Sequence, residues 1–230
     1  MIVEHLNQET TSKEGSIVLQ RLTKIFGPNP SKILPLIHRG LEKQSILSDH
    51  GHVLALRDIN LEIEVGKIQI IMGLSGSGKS TLLRHINRLI EPSAGRILIG
   101  DRDIMSLSLE EIRAFRQSKI SMVFQKFALL PHWTVAQNVA FGLNLQGISK
   151  VEQQKVSGTW IEKVGLGGYE NSYPAQLSGG MQQRVGLARA LATGADHLLM
   201  DEPFSALDPL IRTEMQELLL NLQSELRKSI

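Results

Sequence analysis

Residues 73–80 read GLSGSGKS, between the apolar run KIQIIM and a segment with helical spacing. Successive backbone N–H groups in such a turn converge on phosphate oxygens, and the N-terminus of the following helix adds positive potential. Gly76 and Gly78 let the backbone approach closely, Lys79 would neutralise the β- and γ-phosphates, and Ser80 would present its hydroxyl to Mg²⁺. The alternative is a glycine-rich turn that happens to hold a lysine. Average composition produces this pattern in fewer than about 1 in 100 chains of this length. The segment reads as a nucleoside triphosphate site.

A second pair of residues needs such a site. Asp201 and Glu202 directly follow the apolar run HLLM, and carboxylates resist burial unless something receives their charge. A strand running parallel to the one before the phosphate loop would end beside a bound Mg²⁺. Asp201 would then hold the metal through water, and Glu202 would orient or deprotonate the water that attacks the γ-phosphate. Taken alone, an Asp-Glu pair is more often a solvated strand end. Two further segments are bland in isolation. LSGGMQQR (177–184) sets Ser178, Gly179 and Gly180 at a helix start, which is either a second phosphate-facing turn or an ordinary cap. FQKFALLPHWTV (124–135) places Gln125 after a strand and before apolar residues around Pro131.

The elements that must position these residues alternate between strand-like and helix-like patterns. SIVLQRLTKIF (16–26) and ALRDINLEIEVGKIQIIMG (55–73) are rich in β-branched residues and predict strands. Between them, 27–51 is bracketed by Gly and Pro, with Ile33, Ile37 and Leu41 on one helical face, so it predicts a short helical insertion broken near Pro35 and Gly40. Leu82, Ile86 and Leu89 keep helical spacing after the phosphate loop. KISMVF (119–124) predicts a strand, 134–164 is mostly helical, and a helix follows LSGG with Met181, Val185 and Ala192 inward. DHLLMD predicts a buried strand. Asp208 and Pro209 read as the cap and first residue of a final helix carrying Ile211, Met215, Leu218, Leu222 and Leu226 on one face. Strands alternating with helices imply an α/β fold around a mainly parallel sheet.

Composition narrows the class. With 42% hydrophobic and 21% charged residues, the 230-residue chain is that of an ordinary globular protein. Twenty-five Lys and Arg against 23 Asp and Glu give +2, too balanced to argue for nucleic acid as a partner. There is no cysteine, which excludes disulfides and thiolate metal sites, and the seven histidines lack ligand spacing. The start, MIVEHLNQETTSKEG, is polar and lacks the apolar core of a signal peptide. No apolar run nears the ~18 residues of a membrane-spanning helix, so a membrane role would come through a partner.

In their order along the chain, GLSGSGKS, Gln125, LSGGMQQ, LLMDEP and SALD resemble the nucleotide-binding domain of ATP-binding-cassette transporters. KIFGPNP, IMGLSGSGKSTLLRHINRLIEPSAG, MVFQKFALLPH and SALDPLIRTEMQ look like the ATPase subunit of glycine betaine/proline-type importers, which are osmoprotectant uptake systems. The resemblance implies a P-loop NTPase fold with an N-terminal antiparallel β region and a helical subdomain. That subdomain would cover about residues 126–190 with the signature, followed by the acidic strand and last helix over 191–230. It implies ATP and Mg²⁺ as cofactors and a head-to-tail dimer. Each ATP would lie between one subunit's Gly73, Leu74, Ser75, Gly76, Ser77, Gly78, Lys79, Ser80 and Thr81 and the other's Ser178, Gly179, Gly180 and Met181. Ser80, Gln125 and Asp201 would serve the metal, Gln125 and Glu202 the attacking water, and Asp208 communication across the dimer. Phe26, in KIFG, matches the motif whose aromatic ring stacks on adenine; as a residue alone it reads equally as a strand-end core position. FALLPHWTV and the helical region behind it would receive a coupling helix of a membrane permease. A substrate-binding protein would be an indirect partner, and the place of action the cytoplasmic face of the cell membrane.

Members of that family continue past the last helix into a strand that lies between the acidic strand and the phosphate-loop strand and ends at a switch histidine. This chain ends at LQSELRKSI, so the resemblance implies a domain incomplete at its C-terminus, without the regulatory CBS domains that many relatives carry. Two other readings stand beside the importer ATPase. One is an ATP-binding-cassette protein outside transport, although the long coiled-coil or tandem insertions usual there are absent. The other is a nucleotide-binding remnant without turnover.

Overall fold

The computed structural model describes residues 15–125 and 127–230, and the chain divides into two compact units, Met1–Val65 with Glu91–Ser106, and Gly66–Ile90 with Leu107–Ile230.

The first unit is built on an antiparallel sheet. β1 (Ile17–Phe26), β2 (Val53–Ile63), β3 (Ala94–Ile99) and β4 (Arg102–Asp103) are ordered β2-β1-β3-β4. β-branched and leucine side chains supply both the strand preference and the core, where Ile17, Leu19, Leu22, Ile25 and Ile97 are fully buried. Between β1 and β2 the chain forms a short 3-10 turn and then α1 (Leu34–His38) and α2 (Lys43–His50). Ile33, Ile37 and Ile46 pack on Ile25 and Leu54, which fastens this hairpin of helices to the sheet. Gly40, at φ +93°, separates the two helices in a conformation that L side chains rarely adopt. Pro35 breaks nothing: it lies in the first turn of α1, where its missing N–H has no intrahelical partner to lose.

The second unit holds α3 (Lys79–Ile86), α4 (Leu109–Ser118), β5 (Ile120–Val123), α5 (Val135–Leu145), α6 (Lys150–Lys163), α7 (Gly179–Ala192), β6 (His197–Met200) and α8 (Pro209–Leu226). β5 and β6 pair in parallel, from Ile120 opposite His197 to Val123 opposite Met200. Buried on both faces, β6 reads as a continuous apolar run and not as an alternating one. Val139, Leu143, Ile161, Val185 and Ala188 form one core among α5, α6 and α7, while Leu187, Leu191, Leu198, Met215 and Leu222 join α7, β6 and α8 in another. The α8 face predicted from sequence is the packed one, with Met215 and Leu222 buried and Ile211, Leu218 and Leu226 against the same cluster.

Two differences from the sequence reading have physical causes. β2 begins at Val53 and stops at Ile63, and residues 67–73, predicted as the end of that strand, have no strand assignment. Strand geometry needs a ladder, and among the described residues this segment pairs its backbone with another segment only at its start, through Lys67 O and Gln69 N to Ile230. Ile70, Met72 and Leu74 are 69%, 87% and 86% exposed as a result. Leu89 lies beyond the end of α3 and is 49% exposed, because Arg88, at φ +52°, ends the helical path before it. As predicted, the pairing of β5 and β6 is parallel, extended by a parallel bridge from His197 to Ser229, and the antiparallel sheet is that of the N-terminal β region. Ser229 accepts from Leu198 N, and Ile230 bonds Lys67 and Gln69, which sets these residues between β6 and the segment leading to the phosphate loop.

Candidate functional site

The parallel register of β5 and β6 explains how residues 77 positions apart meet. Val123 and Met200 are partners, so the chain leaves both strands at the same level, carrying Gln125 from one and Asp201 and Glu202 from the other. The amide of Asp201 still donates to Val123 O at 3.1 Å. Glu202 sits at φ +45°, a left-handed conformation just past the end of the strand that non-glycine residues rarely adopt. Gln125 Nε2 lies 3.4 Å from Glu202 Oε2 and donates to Ser205 Oγ at 3.3 Å, while Ser205 Oγ donates to Glu202 O at 2.9 Å.

The phosphate loop comes to the same place. Gly78, at φ +99°, is the N-cap of α3, and Gly76, at φ +74°, turns the loop before it. A Cβ on Gly73 would stand 2.7 Å from Ser77 Oγ, so a side chain there would force the Ser77 hydroxyl to turn away. Lys79 and Ser80 are the first two residues of α3 and face the acidic pair. Ser80 Oγ donates to Asp201 Oδ1 at 2.6 Å, and Lys79 Nζ is 3.1 Å from Glu202 Oε1. Lys79 also donates to Gly73 O and Leu74 O at 3.0 and 3.2 Å, folding back over its own loop. Asp201 is only 2% exposed, and its second oxygen is 3.4 Å from Arg84 on the next turn of α3. A buried carboxylate needs such partners.

This donor set fits a hard divalent cation. The Ser80 hydroxyl and the Asp201 carboxylate are two oxygen ligands already in contact, and Mg²⁺ in phosphate sites takes one or two protein oxygens with the rest from water and phosphate. Among the described residues no three His, Asp or Glu side chains cluster as a metal cage. Glycine-opened backbone, an N-terminal helix end and Lys79 supply the matching anion cradle.

Sequence reasoning missed two residues here. Arg84 partners the buried Asp201 and lies four positions after Ser80, one helical turn on, which is the signal that could have found it. Ser205 buttresses both Gln125 and Glu202 and is the serine of SALD.

Other predicted site residues lie elsewhere. Ser178 Oγ accepts from Met181 N at 3.3 Å and so caps α7. Gly180 has a packing reason of its own, since a Cβ there would stand 2.7 Å from Ile211 Cγ2 on α8. None of Ser178, Gly179, Gly180 and Met181 bonds to the phosphate loop, Gln125, Asp201 or Glu202 among the described residues. Asp208 Oδ1 accepts from Ile211 N at 3.1 Å as the N-cap of α8. Phe26 closes β1 in the first unit, 40% exposed, with Lys24 Nζ 5.0 Å from its ring centre.

A family model described as ABC transporter matches residues 56–205. The glycine betaine/proline betaine transport system ATP-binding protein ProV of Escherichia coli K12 is 53% identical over 212 residues, covering 92% of this chain and 53% of that protein. The glycine betaine/carnitine transport ATP-binding protein GbuA of Listeria monocytogenes is 50% identical over 216 residues, covering 94% of this chain and 54% of its own length. The chain thus spans about half the length of the curated relatives it matches. Among solved structures, the dimeric post-hydrolysis state of the ATP-binding cassette MJ0796 bound to ADP and Pi superposes with a TM-score of 0.75 at 34% identity, covering 92% of this chain and 84% of that one. With its phosphate loop, acidic strand and Gln125 all inside the matched segment, the chain belongs to the ABC transporter family.

Proposed function

We propose that the chain is the ATP-binding and hydrolysing part of an importer for glycine betaine, proline betaine or a related osmoprotectant. One observation carries the enzymatic half: Lys79 and Ser80 of the phosphate loop meet Glu202 and Asp201 directly, at 3.1 and 2.6 Å. Lys79 would exchange its loop carbonyls and Glu202 for the β- and γ-phosphates of ATP, and the oxygens of Ser80, Asp201 and Gln125 would hold Mg²⁺. When bound, the metal neutralises charge developing on the transferred phosphoryl group. Glu202, positioned by Gln125 and Ser205, would accept the proton of the attacking water.

The transport half rests on likeness to ProV and GbuA. In this reading two copies associate head to tail. Ser178–Met181 of one serves the nucleotide of the other, which accounts for a signature turn that touches nothing in its own phosphate site. Asp208 lies at that contact. The segment from Phe127 to Val135 and the helices behind it receive a permease at the cytoplasmic face of the membrane, with a substrate-binding protein further along. No helix among the described residues is long and apolar enough to cross a membrane.

Titration with a fluorescent ATP analogue tests the site: binding to the parent chain should fall at least tenfold in Lys79→Ala, and equal binding by the two refutes the assignment. Disrupting the gene tests the substrate class. Uptake of radiolabelled glycine betaine at high osmolarity should drop while methionine uptake persists, and the opposite pattern overturns the reading.

A further inference from the structure

Arginines far apart in sequence converge on the first unit's sheet. Arg57 is on β2, Arg21 on β1 and Arg96 on β3, three adjacent strands. Two irregularities bring them to one level. Leu22 pairs with Ile59 and Lys24 with Leu56, so Arg57 and Asp58 together stand opposite the single residue Thr23. Gln20 pairs with Arg96 and Thr23 with Ala94, so Arg21 and Leu22 together stand opposite Gly95. These are β-bulges, which bend a strand and re-aim its side chains, and they recur beside binding sites. At their centres Arg21 and Asp58 hold φ of +51° and +49°, which non-glycine residues rarely adopt.

The bulges surround a cleft of about 620 Å³, the size range of small-molecule sites. Small residues form its floor: Thr23, Ala94 and Gly95, where a Cβ on Gly95 would stand 2.5 Å from Arg21 O. His38, the last residue of α1, and the three arginines form its rim, with Asp58 as the one acid. Arg57 is anchored by a neutral acceptor, Ile37 O at 3.0 Å, and Arg96 by Gln20 Oε1 at 2.5 Å. Among the described residues neither has a carboxylate within 4.0 Å, and Arg21 alone is paired, with Asp58 at 3.5 Å. Three guanidinium groups against one carboxylate leave two positive charges unneutralised, on forks held in place by neutral groups with donors to spare.

We propose that this cleft binds the phosphate group of an anionic ligand, separately from the phosphate loop. Bidentate guanidinium donors from Arg57 and Arg96 grip the phosphate oxygens, and Arg21 adds charge beside them. The shared chemistry admits a soluble phosphorylated molecule or a phospholipid headgroup.

The test removes the phosphate loop first. In the Lys79→Ala chain, calorimetric titration with inorganic pyrophosphate should still show one site. Arg57→Gln with Arg96→Gln should weaken it at least tenfold, while Arg39→Gln, a basic residue outside the cleft, leaves it unchanged. Arg57→Lys with Arg96→Lys keeps charge but loses the fork, and should fall between. Vesicles of phosphatidylcholine with and without phosphatidylglycerol form the second arm. Sedimentation with the anionic vesicles that is lost in the same glutamine pair, without pyrophosphate binding, assigns the phosphate to a lipid headgroup. No binding of either probe in Lys79→Ala overturns the proposal, as does equal weakening by Arg39→Gln. Thermal melts of every variant separate lost binding from lost fold, and the lysine pair remains informative if the glutamine pair unfolds.

Discussion

Replacing Glu202 with glutamine should tighten ATP binding even as it stops hydrolysis. Lys79 Nζ, the charge assigned to the phosphates, is engaged at 3.1 Å by Glu202 Oε1 and must leave that carboxylate to meet ATP. Two unit charges at that distance attract by about 1.3 kcal/mol in water and more at lower dielectric. The Lys79 and Glu202 side chains are 18% and 40% exposed, so screening and side-chain entropy bring the net value toward about 0.5–1 kcal/mol. Glu202→Gln removes that competition while keeping the shape and the acceptor facing Gln125. Affinity should therefore rise about two- to fivefold, at 1.4 kcal/mol per decade. Loss of the base should lower turnover by about 10²–10⁴. Equilibrium titration with a fluorescent ATP analogue at low salt measures the first effect and phosphate release the second. The gain should shrink in 1 M salt, where the Debye length is about 3 Å. Unchanged or weaker binding by a normally folded Glu202→Gln would refute the competition, and normal hydrolysis would refute the role of the base.

Other outcomes follow from single contacts. Asn138 is fully buried, accepting from Leu130 N at 2.8 Å and donating to the carbonyls of Leu130, Trp133 and Thr134, so Asn138→Leu orphans several groups at about 1–3 kcal/mol each. Its melting temperature should fall by at least about 5 °C, with faster amide exchange over residues 129–134. Gly180→Ala drives a methyl to 2.7 Å from Ile211 Cγ2 and should cost about 1–3 kcal/mol by denaturant melt, largely recovered by adding Ile211→Ala. His197 is 4% exposed with Nδ1 unpartnered; burial lowers its pKa, Asp196 opposes this, and Lys119 and Lys228 reinforce it. A histidine kept neutral in the fold takes up a proton on unfolding, so stability is full above about pH 6.5 and is lost as pH falls toward the folded pKa. The slope reaches at most about 1.4 kcal/mol per pH unit, and His197→Phe should flatten melting temperatures between pH 7.5 and 5.5.

The phosphate loop was legible in sequence because its chemistry is local. Glycine, lysine and serine at fixed spacing act through the backbone they belong to, and Gly76 and Gly78 hold the positive φ that such a turn requires. Caps and amphipathic faces are local for the same reason, as Asp208 and the Met215–Leu222 face of α8 show. Strandedness is not local. KIQIIM has every strand preference, yet the ladder that would make it a strand belongs to neighbours remote in sequence, and only Lys67 and Gln69 find one. Likewise, nothing near Asp201 in the chain announces Arg84, nothing near Gly180 announces Ile211, and nothing marks Arg21, Arg57 and Arg96 as neighbours. Those contacts depend on parallel register, helix approach and the offset of two bulges. Each is set by the packing of whole elements, because the free energy that selects them comes from area buried between distant segments and not from the preferences of any one of them.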